Sequence, residues 1–413
     1  MGAGFGGLAV VQHLRRAPAA VTLVDRHNFH LFTPLLYEVG TALLDPSEIA
    51  YPIRGLLRRS RNADFRLAKV IGVDLTARRA DTTEGPLFYD YLVLSAGSAN
   101  NFFGMRGAAD RCFALKDLGE ALALRNQVLQ CFEEAAWTED EARRRTLMSF
   151  VVIGGGPSGV EFAGALTELV HLVLRKDFPR LDLDEVRVHL LEAAPHLLGA
   201  FAPTLRESAA ARLRRIGVDV RLGTAVDGIE EAVVRLADGT SLEAATVVWT
   251  AGVQAAPLAA ALGVPTGRAG RVPVLDTLQL EGHPEVYVIG DMALVMAGDQ
   301  PLPQLAGVAQ QQGKAVAANL RRQIGGEVAV PFSYFDRGTM ATIGRNAAVV
   351  DIRGLRLKGF IGWITWLLVH LLLLVSFRNR LLVMASWAYD YFFYDRPVRL
   401  LLRADRETRE QRQ

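Results

Sequence analysis

Cysteine is nearly missing from this chain of 413 residues, which has only Cys112 and Cys131. Two isolated thiols supply no disulfide framework, zinc site or C-x-x-C redox pair, and their scarcity points to a reducing compartment. An excess of charge of one sign is lacking too. Lys and Arg number 46 against 44 Asp and Glu, and a net charge of +2 gives no reason to expect a nucleic-acid partner. No N-terminal pattern of charged, apolar and small residues marks a signal peptide. His27, His30 and His370 have no partners at metal-ligand spacing, so they read as packing residues and no metal is expected. No low-complexity tract is visible.

What is present is glycine at fixed spacing. Gly2-Ala3-Gly4-Phe5-Gly6-Gly7 and Gly154-Gly155-Gly156-Pro157-Ser158-Gly159 both fit G-x-G-x-x-G. Such glycines allow a tight strand-to-helix turn and let backbone approach a pyrophosphate at a helix N-terminus. Each is followed by a helical pattern and then a strand ending in an acid, Asp25 in one case and Glu192 in the other. Two dinucleotides in one chain imply electron traffic between them, typically from a nicotinamide to a flavin.

Strands are expected at Val21–Val24, Tyr91–Leu94, Phe150–Ile153, Arg187–Leu191, Thr246–Trp249 and Val286–Ile289. Helices are expected over Leu8–Leu14, from Leu118 to about Arg145, over Gly159–Leu172, and from about Val308. Alternating strand and helix is the mark of an α/β fold. The simplest topology has two Rossmann-like dinucleotide-binding domains, the second inserted in the first, plus a C-terminal membrane-associated helical region.

Asp25 is placed to accept hydrogen bonds from an adenosine ribose; its plainer reading is a strand-end turn residue. Glu192 holds the matching place in the second module, with the spacing widened by an insertion around Lys176 to Asp184. An acid there binds the 2′-hydroxyl of NADH and repels the 2′-phosphate of NADPH, so NADH is favoured over NADPH; the plainer reading is a surface glutamate. Gly290-Asp291 closes an apolar strand and reads as a second contact to the flavin, or otherwise as a helix cap. No cysteine lies in the first module's helices. That excludes a thiol relay of the disulfide-reductase kind, so electrons must leave the flavin for an external acceptor.

Near the C-terminus, Phe360 to Phe377 runs eighteen residues without an acid, Lys or Arg, and Arg378 and Arg380 follow. Length makes it a candidate to cross a membrane. Trp363 and Trp366 at one end, and a second segment from Leu381 carrying Trp387, Tyr389, Asp390, Tyr391 and Tyr394, favour helices lying in the interface. Arginines recur from Arg396 to Arg412, a pattern that suits anionic lipid. A hydrophobic helix buried in a homodimer interface is the alternative.

With these residues in view, the chain resembles the bacterial type II NADH:quinone oxidoreductases, the non-proton-pumping respiratory NADH dehydrogenases. The likeness covers nearly the whole chain: GAGFGGL, VTLVDRHNFHLFTPLLYEV, EIAYPIR, VVIGGGPSGVEFAG, VVWTAGV, VYVIGD, LAGVAQQQGKAVA and FDRGTMATIGR. It implies that Gly2, Gly4, Gly7, Asp25, Gly290 and Asp291 hold FAD, and that Gly154, Gly156, Gly159 and Glu192 hold NADH. Glu161 matches a family carboxylate near the nicotinamide and quinone sites; a helix-face salt bridge is its plainer reading. Gln311 and Gln312 match the paired glutamines of the quinone-site motif A-Q-x-A-x-Q-Q, in which Gly307 stands here for the first glutamine. Glu161 and the two glutamines are then the residues to orient or protonate the quinone.

The implied domains are FAD-binding over 1–112 and 253–330, NADH-binding over 113–252, and membrane-anchoring over 331–413. The implied partners are quinone and the lipid bilayer, with the enzyme peripheral on the cytoplasmic side of the cell inner membrane. Two other readings stay open: an NADH-dependent reductase of a soluble acceptor such as ferredoxin, and a membrane-docked flavoprotein that senses NADH. The glycines begin at Gly2, so the apolar strand that opens a doubly wound module is missing ahead of them. The natural product is accordingly expected to carry about five to ten further residues there.

Overall fold

The computed structural model describes residues 1–396 and 398–401. The helices that organise it are α1 (Phe5–Leu14), α2 (Leu36–Gly40), α3 (Leu118–Ala135), α4 (Pro157–Glu168), α5 (Ala306–Ile324), α6 (Gly359–Leu373) and α7 (Phe377–Phe393). The strands are β1 (Val21–Asp25), β2 (Ala63–Leu67), β3 (Leu92–Leu94), β4 (Phe113–Ala114), β5 (Ser149–Ile153), β6 (Arg187–Glu192), β7 (Val218–Leu222), β8 (Thr246–Trp249), β9 (His283–Val288), β10 (Thr339–Thr342), β11 (Ala348–Ile352) and β12 (Leu355–Lys358). They form two compact units. One comprises residues 1–31, 50–101 and 253–337, the other 32–49, 102–252 and the described residues from 338 onward.

In the first unit β1 pairs in parallel with β2, and β3 in parallel with β9. Met1 and Gly2 stand between these pairs. The Gly2 N–H donates to Val24 O at 2.7 Å and the Ser95 N–H to Met1 O at 2.9 Å. Helices α1 and α5 pack so closely that a Cβ on Gly313 would lie 2.4 Å from Gly6 O. Val10, Leu14, Val286, Val288, Ile289 and Val316 build the core around them.

The second unit is centred on a five-stranded parallel sheet in the order β4-β8-β5-β6-β7. Its central strand β5 is buried at every residue, as an apolar run covered on both faces must be. A three-stranded antiparallel sheet, β10-β11-β12, follows and leads directly into α6. There a Cβ on Gly362 would lie 2.6 Å from Ala348 O, so glycine is what lets α6 sit against β11.

The structure breaks several elements that periodicity alone runs together. The helical stretch from Leu118 divides into α3 and a helix over Glu141–Leu147, because Asp140 caps the latter by accepting from the Ala142 and Arg143 N–H groups. The helix after Gly159 passes at Leu169 into a π turn over Leu169–Leu174. The Phe360–Phe377 run divides after Leu373. Arg380 of α7 donates to Leu374 O at 2.9 Å and Leu372 O at 2.8 Å, satisfying carbonyls that a continuing helix would have used. Among the described residues no helix is long and apolar enough to cross a membrane. Most of the arginine-rich tail, from residue 402 onward, lies outside the described residues.

Candidate functional site

The first glycine turn is shaped by two close approaches. Gly2 has φ +98°, and a Cβ there would lie 2.3 Å from Ser95 O; on Gly7 it would lie 1.8 Å from Gly2 O. At Gly4 nothing lies within 4 Å of that position, so the ground in front of the α1 N-terminus is open. No side chain caps that terminus, which leaves its N–H groups and the positive end of the helix dipole for a phosphate. Asp25 is fixed on the turn: Oδ2 accepts from the Ala3 N–H at 2.6 Å and Oδ1 from the His27 N–H at 2.8 Å. His30 is a packing residue beside it, bonded through Nδ1 to Ala3 O at 2.9 Å and edge-on to Phe5.

Gly290-Asp291 belongs to the same corner of the first unit. A Cβ on Gly6 would touch the Ile289 side chain at 3.0 Å, and the Gly290 N–H donates to Gln312 Oε1 at 2.7 Å. The Ser98 hydroxyl donates to the Asp291 carboxylate. Gln312 is fully buried, and its Nε2 has no partner among the described residues. Such an atom is costly unless a ligand accepts from it. Gln311 is engaged differently: Nε2 donates to Phe335 O at 2.9 Å while Oε1 accepts the Phe335 N–H at 3.0 Å. Its side chain holds the backbone of the segment that leaves the unit. An uncapped helix, an open glycine cradle and an orphaned buried amide together fit the pyrophosphate and ring edge of FAD.

The second turn repeats the first. Gly154 has φ +114° and would meet Ala251 Cα at 2.6 Å; Gly159 would meet Gly154 O at 1.9 Å; Gly156 faces open space. Pro157 opens α4, whose N-terminus has no side-chain cap. Glu192 Oε2 accepts from the Gly155 N–H at 2.6 Å and Oε1 from the Ala194 N–H at 2.7 Å. This cradle fits a second dinucleotide.

Glu161 lies on α4 but is turned away from that cradle. Its side chain is buried and Oε1 accepts from the Thr342 N–H at 3.3 Å. Burial, the largest influence, holds its carboxyl well above the ordinary range, and the charge of Glu38 pushes the same way. Such a shift favours the protonated carboxyl, the form that can donate a hydrogen bond.

Several polar residues around Glu161 escape a reading by motif. Glu38, the one charged residue in the run Leu31–Leu44, is buried in α2. Its oxygens accept from the Tyr37 hydroxyl at 2.9 Å and the Trp387 indole N–H at 2.8 Å. Arg396 is buried and reaches Thr41 O at 2.9 Å, Asp390 at 3.3 Å and Glu168 at 3.4 Å. The isolated acid in an apolar run is the only signal of this cluster that the sequence carries.

On α6 the polar face is the buried one. Gly362, Trp366 and His370 face inward, Trp366 and His370 stacked 4.0 Å apart, while Phe360, Ile361, Ile364, Leu368 and Leu372 are exposed. Burial drops His370 to about 4, so it is neutral.

Comparison with known proteins identifies the family and the fold. Residues 1–313 match the pyridine nucleotide-disulphide oxidoreductase family, and residues 337–394 the NDH2 C-terminal domain. A type II NADH:quinone oxidoreductase of Mycobacterium tuberculosis is 38% identical over 408 residues, covering 95% of this chain and 87% of the relative. One of Staphylococcus haemolyticus is 31% identical over 370 residues, 87% of this chain and 90% of the relative. The structure of NDH2 from Plasmodium falciparum in complex with NADH superposes with a TM-score of 0.86 at 17% identity, over 97% of this chain and 98% of that one, and shares the fold.

Proposed function

The chain belongs to the type II NADH:quinone oxidoreductases, and on that premise we propose how its residues carry electrons from NADH through FAD to a membrane quinone without moving protons across the membrane. FAD, when bound, would supply the two-electron redox chemistry that links the nicotinamide to the quinone. Everything else is positioning and proton handling by the protein.

Gly2, Gly4 and Gly7 with the α1 N-terminus hold the FAD pyrophosphate, Asp25 the adenosine ribose, and Gly290 and Asp291 the ribityl side. Gly154, Gly156 and Gly159 hold the NADH pyrophosphate, and Glu192 its ribose. The reading rests chiefly on one observation: each uncapped glycine turn carries a carboxylate already hydrogen-bonded to the turn itself. That carboxylate is preorganised to accept ribose hydroxyls. Glu161, whose protonated form burial favours, gives a proton to the quinone or orients it. Gln312 offers its unpartnered Nε2 to the flavin or the quinone, and Gln311 holds the adjoining Phe335 backbone.

The exposed apolar face of α6 continues on α7 through Phe377, Leu381 and Met384. We place this face in the cytoplasmic surface of the cell inner membrane, attached to one leaflet, where a lipophilic quinone is found. Steady-state oxidation of NADH by a short-chain quinone in detergent tests the activity; flavin that NADH reduces and quinone never reoxidises contradicts it. Flotation with anionic vesicles tests attachment. Protein that stays in the soluble fraction as a dimer assigns the same face to a second copy instead.

A further inference from the structure

Glu38 is a buried acid with a defined setting and no part in the roles above. It is 2% exposed and is held by two neutral donors, the Tyr37 hydroxyl and the Trp387 indole N–H, rather than by a cation. Among the described residues no ion pair includes it: the buried guanidinium nearby, Arg396, is spent on Glu168 and Asp390. A carboxylate taken out of water without a cation is costly, so such a group takes up a proton instead. Its helix α2 packs against α4, which carries Glu161. The charge of Glu38 acts on Glu161, and Tyr37 feels the charges of both.

We propose that Glu38 is the proton-holding residue behind Glu161, returning a proton to it after each quinone has been reduced. The inference rests on the proposed role of Glu161 as the group that faces the quinone. The balance is simple. Quinone takes two electrons and two protons to become quinol, and one of those protons leaves the Glu161 carboxyl. The Glu38 carboxyl then gives its proton to the Glu161 carboxylate, and Glu38 recovers one from water. Glu38 acts through Glu161, so it is a positioning and supply residue rather than a catalytic one.

The charged surroundings set the direction of the pH dependence. Burial is the largest influence and pushes Glu38 up to about 8; the Trp387 and Tyr37 hydrogen bonds and the charge of Arg396 oppose it, and Asp390 reinforces it. From α4 come Glu161 and Glu168, both raised by their own burial. On α3, which also packs against α2, the buried charge is Arg125, coupled to Asp45. On α6 His370 is neutral. A raised carboxyl is loaded with its proton below its folded value and empties above it. Proton supply is therefore complete at pH 6 and lost as the pH rises through about 8.

The experiment is stopped-flow reoxidation of reduced flavin by a short-chain quinone, from pH 6 to 9.5, in the flavin-loaded enzyme. The parent slows as the pH passes about 8. Glu38→Gln, which can keep a hydrogen bond to Trp387 and one to Tyr37, is about tenfold slower at pH 6 and shows no such limb. Glu38→Asp restores the limb. Trp387→Phe removes a donor that holds the carboxyl down, so its limb moves to higher pH, and this variant decides the matter if Glu38→Gln fails to fold. A Glu38→Gln enzyme with the parent's rate and pH profile, or a Trp387→Phe enzyme with an unmoved limb, overturns the proposal. Glu161→Gln run in parallel separates the two readings. If Glu161→Gln is slow and Glu38→Gln normal, only the supply role fails; if Glu161→Gln is normal, the reading on which it rests fails first.

Discussion

The two glycine turns use the same backbone but solve one contact in opposite ways. In the first, Ala3 follows the leading glycine and the acid is the shorter Asp25; in the second, Gly155 follows it and the acid is the longer Glu192. Both acids accept the backbone N–H of that second residue at 2.6 Å. A Cβ on Gly155 would lie 2.9 Å from both Glu192 Cβ and Oε2, so the extra methylene of Glu is accommodated by deleting a methyl from the turn. Chain length in the acid and side-chain volume in the turn are therefore one variable. The helices diverge further along. Two residues past the last glycine α1 has Ala9, packed under Gly313, whereas α4 has the buried acid Glu161 against Thr342. The first helix is closed by packing, and the second buries a carboxyl whose protonated form that burial favours.

The largest test of the likeness is to crowd each turn at its closest point. Gly7→Ala and Gly159→Ala put a Cβ 1.8 Å and 1.9 Å from a glycine carbonyl oxygen, each at a cost of about 3 kcal/mol or more. The outcomes should differ: Gly7→Ala is isolated without flavin and inactive, whereas Gly159→Ala keeps flavin that dithionite reduces and NADH does not. The flavin-to-protein absorbance ratio separates them, and loss of flavin from both variants equally breaks the assignment of one dinucleotide to each turn.

Next in size is Glu192→Arg, which replaces the proposed ribose carboxylate by a cation. The ratio of kcat/KM for NADH to that for NADPH should fall by about tenfold or more. A preserved ratio places the ribose elsewhere.

The smallest and sharpest test rebuilds one turn as the other. Gly155→Ala should cost about 1–3 kcal/mol by overpacking, and adding Glu192→Asp should recover part of it. Leu197, 2.5 Å from the new Cβ, keeps the recovery incomplete. Thermal unfolding of the singles and the double closes the cycle; strictly additive effects would show that acid length and turn volume are independent.

The turns were legible in the sequence because their logic is local: glycine spacing, an apolar strand and a terminal acid are all read within a few tens of residues. The cluster around Glu161 was not. Glu38 and Trp387 meet across 349 positions and Arg396 reaches Thr41 across 355, contacts that leave no periodic trace. Side-chain capping hid the helix breaks in the same way. Asp140 ends one helical pattern by satisfying the next helix, and Arg380 ends an apolar run from a neighbouring helix. On α6 the buried face is Gly362, Trp366 and His370, and the leucines Leu368 and Leu372 stay outside.

The difference between α1 and α4 is tested most directly by watching bound flavin through both half-reactions in Glu161→Gln. NADH should bleach the flavin at nearly the parent rate, and quinone should restore it about tenfold or more slowly, because the acid on the second helix serves the acceptor. Reoxidation by quinone at the parent's rate would contradict the account.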